Sequence, residues 1–299
     1  MYKKMMMAAF VLLAASCSNE SEVTVSNAQT ETVTAPVRVH VSGFSVSQEN
    51  FTGAQTRAAQ DVGNVNAVNA VTLAFYNGST EVEKITQLKT GMPAGKTFGE
   101  FECSLPMGSY TMVAVAYTTK DESPFVLTSP TAAAYTGLHA YETFTYTQAV
   151  NITNTNAVDI SATLSRIVSM LTVVSTDGKT ADVSNVRMTF SAGGKSFSPS
   201  TGLATVNTGF NNTVGVSTGV GATSTSSTAL FLATDEQDID VTIETLDAEG
   251  NTLFSKTIED VPFKRNRKTI LTGAMYTNEA LSGAFQVETA WIDAHNANF

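Results

Sequence analysis

Beyond its first stretch, this chain repeats apolar residues at every second position in short runs, and no run keeps a helical period. The segment VRVHV at 37–41 sets the pattern, with Val37, Val39 and Val41 alternating with Arg38 and His40. A period of two sends alternate side chains to opposite faces of a sheet. No segment combines a sustained 3.6-residue apolar repeat with helix caps, so the chain is committed to strands. Turn residues then say how the strands are joined. Asn77-Gly78 between apolar runs predicts a tight hairpin, DAEGN at 247–251 predicts a second, and Pro106–Gly108 separates two more strands. After Gly43 the alternation slips by one, to Phe44 and Val46, which predicts a bulge.

Such runs number about seven by residue 153, enough for a β-sandwich, and the pattern restarts near ITNTNAVDI. ISATLSRIVSMLTVV reads as one long strand, and the runs from TALFLAT to AFQVETAW complete a second set. SPFVLTSPTAAAYTGL (123–138) reads as irregular. The Ser-, Thr- and Gly-rich stretch from Gly202 to Thr228 fits either a solvated loop or edge strands. The expected architecture is all-β, with two tandem β-sandwich domains at 37–155 and 156–299.

The start of the chain stands apart from the fold. MYKK followed by MMMAAFVLLAAS is a basic region and an apolar stretch too short to span a bilayer, which marks residues 1–16 as a signal peptide. LLAASC resembles the lipobox of bacterial lipoproteins, which implies Cys17 as the lipidation site and the outer membrane as the anchoring surface; the alternative is a soluble secreted protein cut near the same place. SNESE behind it resembles an acidic surface-export signal. Residues 17–36 are polar and without sustained period, so they are expected to be a flexible tether. Removing Lys3 and Lys4 with the leader leaves 15 basic residues against 27 acidic ones, a charge of −12. A surface so acidic repels phosphate backbones, so no nucleic-acid partner is expected.

Signals for chemistry are weak. GVSTG at 215–219 fits a serine-hydrolase elbow around Ser217, but it lies in a low-complexity run rather than a strand–turn–helix. GMPAGKT at 91–97 falls one residue short of a phosphate loop and is expected to be a turn. His40, His139 and His295 lack metal-ligand spacing. The acids of DEQDIDVTIE are explained by a strand with Ile239, Val241 and Ile243 inward. With Cys17 used by lipid, Cys103 stands alone as a small apolar strand residue, and no intramolecular disulfide is expected. KRNRK at 264–268 is expected to pair with acids such as Glu259 and Asp260. Arg166 falls in phase with the inward residues of its strand and would need a carboxylate partner. No catalytic residue, metal or cofactor is expected.

One residue remains to be explained. Between the signal region and Lys84 the only Lys or Arg residues are Arg38, inside a strand pattern, and Arg57, in the polar stretch FTGAQTRAAQ. Arg57 is either an ordinary loop residue or a processing site. Taken with the lipoprotein leader, Thr56-Arg57-Ala58, LSRIV at 164–168, KRNRKTILTG at 264–273 and the terminal strand carrying Trp291, the chain resembles the fimbrillin family of type V pilus subunits.

That resemblance implies two tandem Greek-key β-sandwiches of the transthyretin type. It implies cleavage at Thr56-Arg57-Ala58 by an arginine-specific surface protease, within a linker at 48–62. The first strand, 37–47, would be lost with Val37, Val39, Val41, Phe44 and Val46, and a strand from a neighbouring subunit would fill its place. AFQVETAW, within 284–293, is a candidate donor strand, since Phe285, Val287, Thr289 and Trp291 share one face; it could equally be the last strand of its own domain. The implied partners are other pilus subunits, in a homo- or hetero-polymer, and a host or bacterial surface ligand. A lipid-retaining pilus anchor, a surface glycan-binding lipoprotein and a hydrolase at Ser217 are the competing functions.

Overall fold

A computed structural model describes residues 33–45, 47–50, 53–56, 68–277 and 284–291. Among the described residues every regular element is a β-strand. Within the first half, one seven-stranded sheet is built from β1 (Thr34–Ser45), β4 (Ala70–Asn77), β5 (Thr80–Leu88), β6 (Glu100–Pro106), β7 (Gly108–Tyr117), β10 (Thr143–Ile152) and β11 (Val158–Arg166). A separate short hairpin is formed by β2 (Ser47–Asn50) and β3 (Gly53–Thr56). The order across the large sheet is β5-β4-β7-β10-β11-β1-β6. All seven strands send residues into one core, from Val37, Val39 and Val41 through Leu73, Phe75 and Met112 to Ile160 and Leu164. The sheet is therefore wrapped on itself as a sandwich. At its seam the Gln87 amide joins β5 to β6 by side chain rather than by a ladder, donating to the Glu100 carbonyl at 2.6 Å and accepting from the Gly99 amide at 2.8 Å.

The second half is a sandwich of two four-stranded sheets. One has the order β16 (Thr225–Leu230), β12 (Ser169–Ser175), β19 (Arg267–Gly273), β20 (Gln286–Trp291). The other has the order β15 (Phe210–Gly215), β13 (Asn185–Phe190), β17 (Glu236–Leu246), β18 (Thr252–Lys264). Leu171, Val186, Met188, Val241, Ile243, Phe263 and Leu271 meet between them.

A third core lies where the halves meet, and it explains the two most continuously apolar strands. In β4, Val71, Leu73 and Phe75 face the first core while Ala70, Ala74 and Tyr76 face the third; β7 divides in the same way. Strands buried on both faces lose the polar half of the alternation. The cover is an aromatic layer from β8 (Phe125–Ser129), β9 (Ala132–Tyr135) and β14 (Ser196–Phe197), with Phe231 stacked on Tyr135. Residues 123–138, expected to be irregular, are thus an ordered hairpin. Strands this short carry too few positions for a period to register.

The hairpins at Asn77-Gly78 and 247–251 join β4 to β5 and β17 to β18 as expected. At Pro106–Gly108 the chain passes from the edge strand β6 to β7, which lies between β4 and β10, so these consecutive strands do not pair. ISATLSRIVSMLTVV is not one strand. It breaks at Ile167–Val168, and β11 belongs to the first sheet while β12 belongs to the second. Residues 158–166 therefore sit in the first half, past the expected boundary at 155–156. The break follows from hydrogen bonds to other segments: the Ile167 amide donates to the Thr143 carbonyl, and the Val168 carbonyl accepts from Asn266.

Candidate functional site

The first strand is an interior strand of its sheet. β1 runs parallel to β11 on one side and antiparallel to β6 on the other. Its β-branched residues suit a pleated surface. Ala35, Val37, Val39 and Val41 are at most 1% exposed and enter the first core. Opposite them in the two ladders stand Leu105, Cys103 and Phe101 of β6, and Val158, Ile160 and Ala162 of β11. The Cys103 side chain packs against this core, and burial, with Glu83 nearby, pushes its thiol up to about 11.

The outward face of β1 is polar and matched to its neighbours. Arg38 lies between two carboxylates, with Nε 3.8 Å from Glu102 and Nη1 3.6 Å from Asp159. His40 Nδ1 meets Glu100. Ser42 Oγ donates to the Ala162 carbonyl at 3.3 Å. These pairs are exposed, and each contributes about 0–1 kcal/mol at most; their effect is to mark the register. Beyond Val41 the register with β11 slips at Gly43, whose φ of 145° a side chain would strain. That is the bulge the broken alternation predicts.

Other residues singled out in the sequence fall as follows. Phe44 pairs in backbone register with Leu164. Val46, Cys17, Arg57 and Ala58 lie outside the described residues. Thr56 is the last residue of the β2–β3 hairpin, so part of the expected 48–62 linker pairs with itself instead of running as open chain. In β20, which is the edge strand beside β19, Thr289 pairs with Thr269 and Trp291 with Arg267 in backbone register. Phe285 is half-buried, its ring so near Gly273 that a Cβ there would come within 2.8 Å. Val287 is 44% exposed, and the exposed Thr289 lines a groove of about 520 Å³ together with Pro262, Phe263 and Arg267. The face shared by Phe285, Val287 and Thr289 is thus mostly outside the core of its own domain.

Just before that segment the chain is clamped. Asp177 accepts the amides of Met275, Tyr276 and Thr277, each at 2.8 Å, and the Thr277 hydroxyl at 3.0 Å. Burial alone would push its carboxyl up, but these donors hold it below the usual range. Nothing in TDGK marks Asp177 in advance, because its partners lie about a hundred residues away.

Arg166 points inward as expected. Its carboxylate partner is Glu142, fully buried with it, and its Nη1 donates to Asn266 at 3.2 Å while the guanidinium lies 5.0 Å from the Phe144 ring. Burial pushes the Glu142 carboxyl up against the pull of Arg166. The KRNRK segment pairs differently from expectation. The β17–β18 register sets Lys264 on Glu236, and Arg265 Nη2 lies 2.7 Å from Asp235; Glu259 and Asp260 are further along the strand. Ser217 lies in the loop between β15 and β16. Among the described residues, no three His, Cys, Asp or Glu side chains gather as a metal ion would need.

Among solved structures, the chain is similar to a candidate adhesin of Bacteroides ovatus at 12% identity, covering 83% of this chain and 88% of that one, with a TM-score of 0.50. It also matches the fimbrial anchor protein Mfa2 of Porphyromonas gingivalis at 13% identity, over 88% of this chain and 99% of that one, with a TM-score of 0.48. A second candidate adhesin of Bacteroides ovatus gives 12% identity, 87% and 95% coverage, and a TM-score of 0.48. The resemblance read from the sequence is met at the level of the fold, over most of the chain. No curated protein matches it in sequence. A model of the family of unknown function DUF6562 matches residues 30–296, and the chain belongs to that family.

Proposed function

We propose that this protein is a structural or adhesive subunit of a cell-surface pilus. It is carried to the outer membrane as a lipoprotein through Cys17 and joined to its neighbours by exchange of the first strand. The observation that carries the reading is β1 itself: an N-terminal strand with three fully buried valines, paired on both sides, ending shortly before the isolated Arg57. On this reading the segment ahead of β1 is the expected tether, so β1 can leave without threading any folded element. Cleavage after Arg57 frees its other end. The vacancy then exposes apolar surface of roughly 5–9 kcal/mol, at about 1.5–3 per valine, plus two open ladder edges. A strand from another subunit relieves both, and a contact that joins unlike surfaces propagates instead of closing. The exposed face of β20 fits the opposite part, a strand offered to a partner.

A second reading keeps the fold and omits polymerisation: an anchor that retains its lipid and its own β1. The fully paired state of β1 favours it, since this strand needs nothing further for stability. N-terminal sequencing of the protein recovered from cells separates the two. A start at Ala58 supports the exchanging subunit and a lipidated Cys17 supports the anchor. Normal incorporation of Arg57→Ala into pili refutes the processing step.

A further inference from the structure

The seat of β1 carries a charge pattern as well as an apolar one. Its rim is lined by Glu100 and Glu102 on β6 and by Asp159 on β11, and β1 answers with His40 and Arg38. Lys96, 3.2 Å from Glu102, is the one cation of the surroundings that shares these carboxylates among the described ion pairs. With β1 gone, the rim is acidic. Its inner positions fit small side chains, alanine and valine in the resident strand.

The chain's own C-terminal strand does not match this seat. Running in the direction of β1, it can set Phe285, Val287 and Thr289, or Val287, Thr289 and Trp291, at positions 37, 39 and 41. In the first register Glu288 falls at position 40, against Glu100. In the second it falls at position 38, between Glu102 and Asp159. Like charges directly opposite are unfavourable. Either register also drives a phenylalanine or tryptophan into a space shaped for valine, which overpacks the core.

Building on the exchange reading, we infer that the β1 seat selects a strand from a different subunit, with small β-branched residues inward and Arg or Lys outward. The C-terminal strand of a second, processed copy of this chain is a poor occupant, so the protein joins a hetero-polymer. The acidic rim rejects the wrong strand as well as holding the right one.

The test uses the full mature chain, nicked after Arg57 by an arginine-specific protease, and labelled peptides that compete for the seat of β1. Four are compared by fluorescence anisotropy: residues 34–45, the same with Arg38→Glu, residues 284–293, and the same with Glu288→Arg. The native 34–45 peptide should enter. Its Arg38→Glu form should bind roughly tenfold more weakly, and Glu288→Arg should improve the C-terminal peptide by a similar factor. Both differences should shrink in 0.5 M salt. Equal binding of 284–293 and its Glu288→Arg form overturns the charge selection and leaves strand exchange standing. Failure of every peptide, including native 34–45, overturns both.

Discussion

Two neighbours on β1 face opposite ways, and that makes them a matched test of how the strand is held. Val39 is 1% exposed, opposite Phe101 in one ladder and Ile160 in the other. Val39→Ala deletes two methyl-sized groups, at about 0.8 kcal/mol each. A cavity contribution follows, because ladders on both sides prevent collapse, giving roughly 2–3 kcal/mol. Arg38 is 57% exposed at its side chain and makes two long ion pairs. Arg38→Ala should therefore cost about 0–1 kcal/mol. For a chain of this size the first change lowers Tm by roughly 4–12 °C, and the second by at most about 4 °C. Thermal and urea unfolding of the uncleaved chain, followed by circular dichroism, measures both. If Arg38→Ala costs as much as Val39→Ala, the strand is held by its outer face, and the account of its burial is wrong.

Further outcomes follow from the surrounding geometry. Cys103 pairs with Val37, and its thiol stands near 11 while the core is closed; nicking at Arg57 with removal of β1 should return it towards the ordinary range. Alkylation at pH 8 should then speed up by about tenfold or more, and an unchanged rate means the core stays shut. Arg166→Met leaves Glu142 buried without its cation and should cost about 3–5 kcal/mol in unfolding experiments, much of which Glu142→Leu in the same chain should restore. Asp177→Ala should free the amides of residues 275–277, seen as faster hydrogen exchange there. Since the Asp177 carboxyl lies below its ordinary 3.8, its contribution is complete above that pH and fades as pH falls through the lower folded value. Exchange protection that is flat across this range contradicts the clamp.

What the sequence discloses is the part of the fold decided within a few residues. The slip at Gly43, the Asn77-Gly78 hairpin and the inward phase of Val37, Val39 and Val41 are local, because alternation and turn chemistry act over neighbours. The solvated face of β17 was legible for the same reason. The junction between the halves was not. Phe125, Tyr135, Phe197 and Phe231 come from four separate segments and meet only in the folded chain. Arg166 announced a buried charge by its phase, yet Glu142 could be found only once β10 and β11 were paired. The misplaced boundary has the same origin: a period of two continues through Ile167 and Val168 whether or not the strand changes sheets. Lys264 and Arg265 meet Glu236 and Asp235 rather than Glu259 and Asp260 because the β17–β18 register brings the first two alongside, and that register cannot be read from spacing.

On the proposed reading, cutting at Arg57 is not sufficient to empty the seat of β1. A tethered strand acts at an effective concentration of order millimolar, so at micromolar protein the nick weakens its hold by about 4 kcal/mol. The three valines alone contribute roughly 5–9 kcal/mol, and the two ladders add to that. The nicked strand should stay in place until a competing strand is supplied in excess or binds more tightly. Assembly then becomes a competition between strands of similar apolar content, where differences of about 1–2 kcal/mol decide the occupant. Arg38 and His40 are too exposed to matter much to the stability of the free subunit. In that competition their carboxylates, Glu100, Glu102 and Asp159, are where such a difference resides.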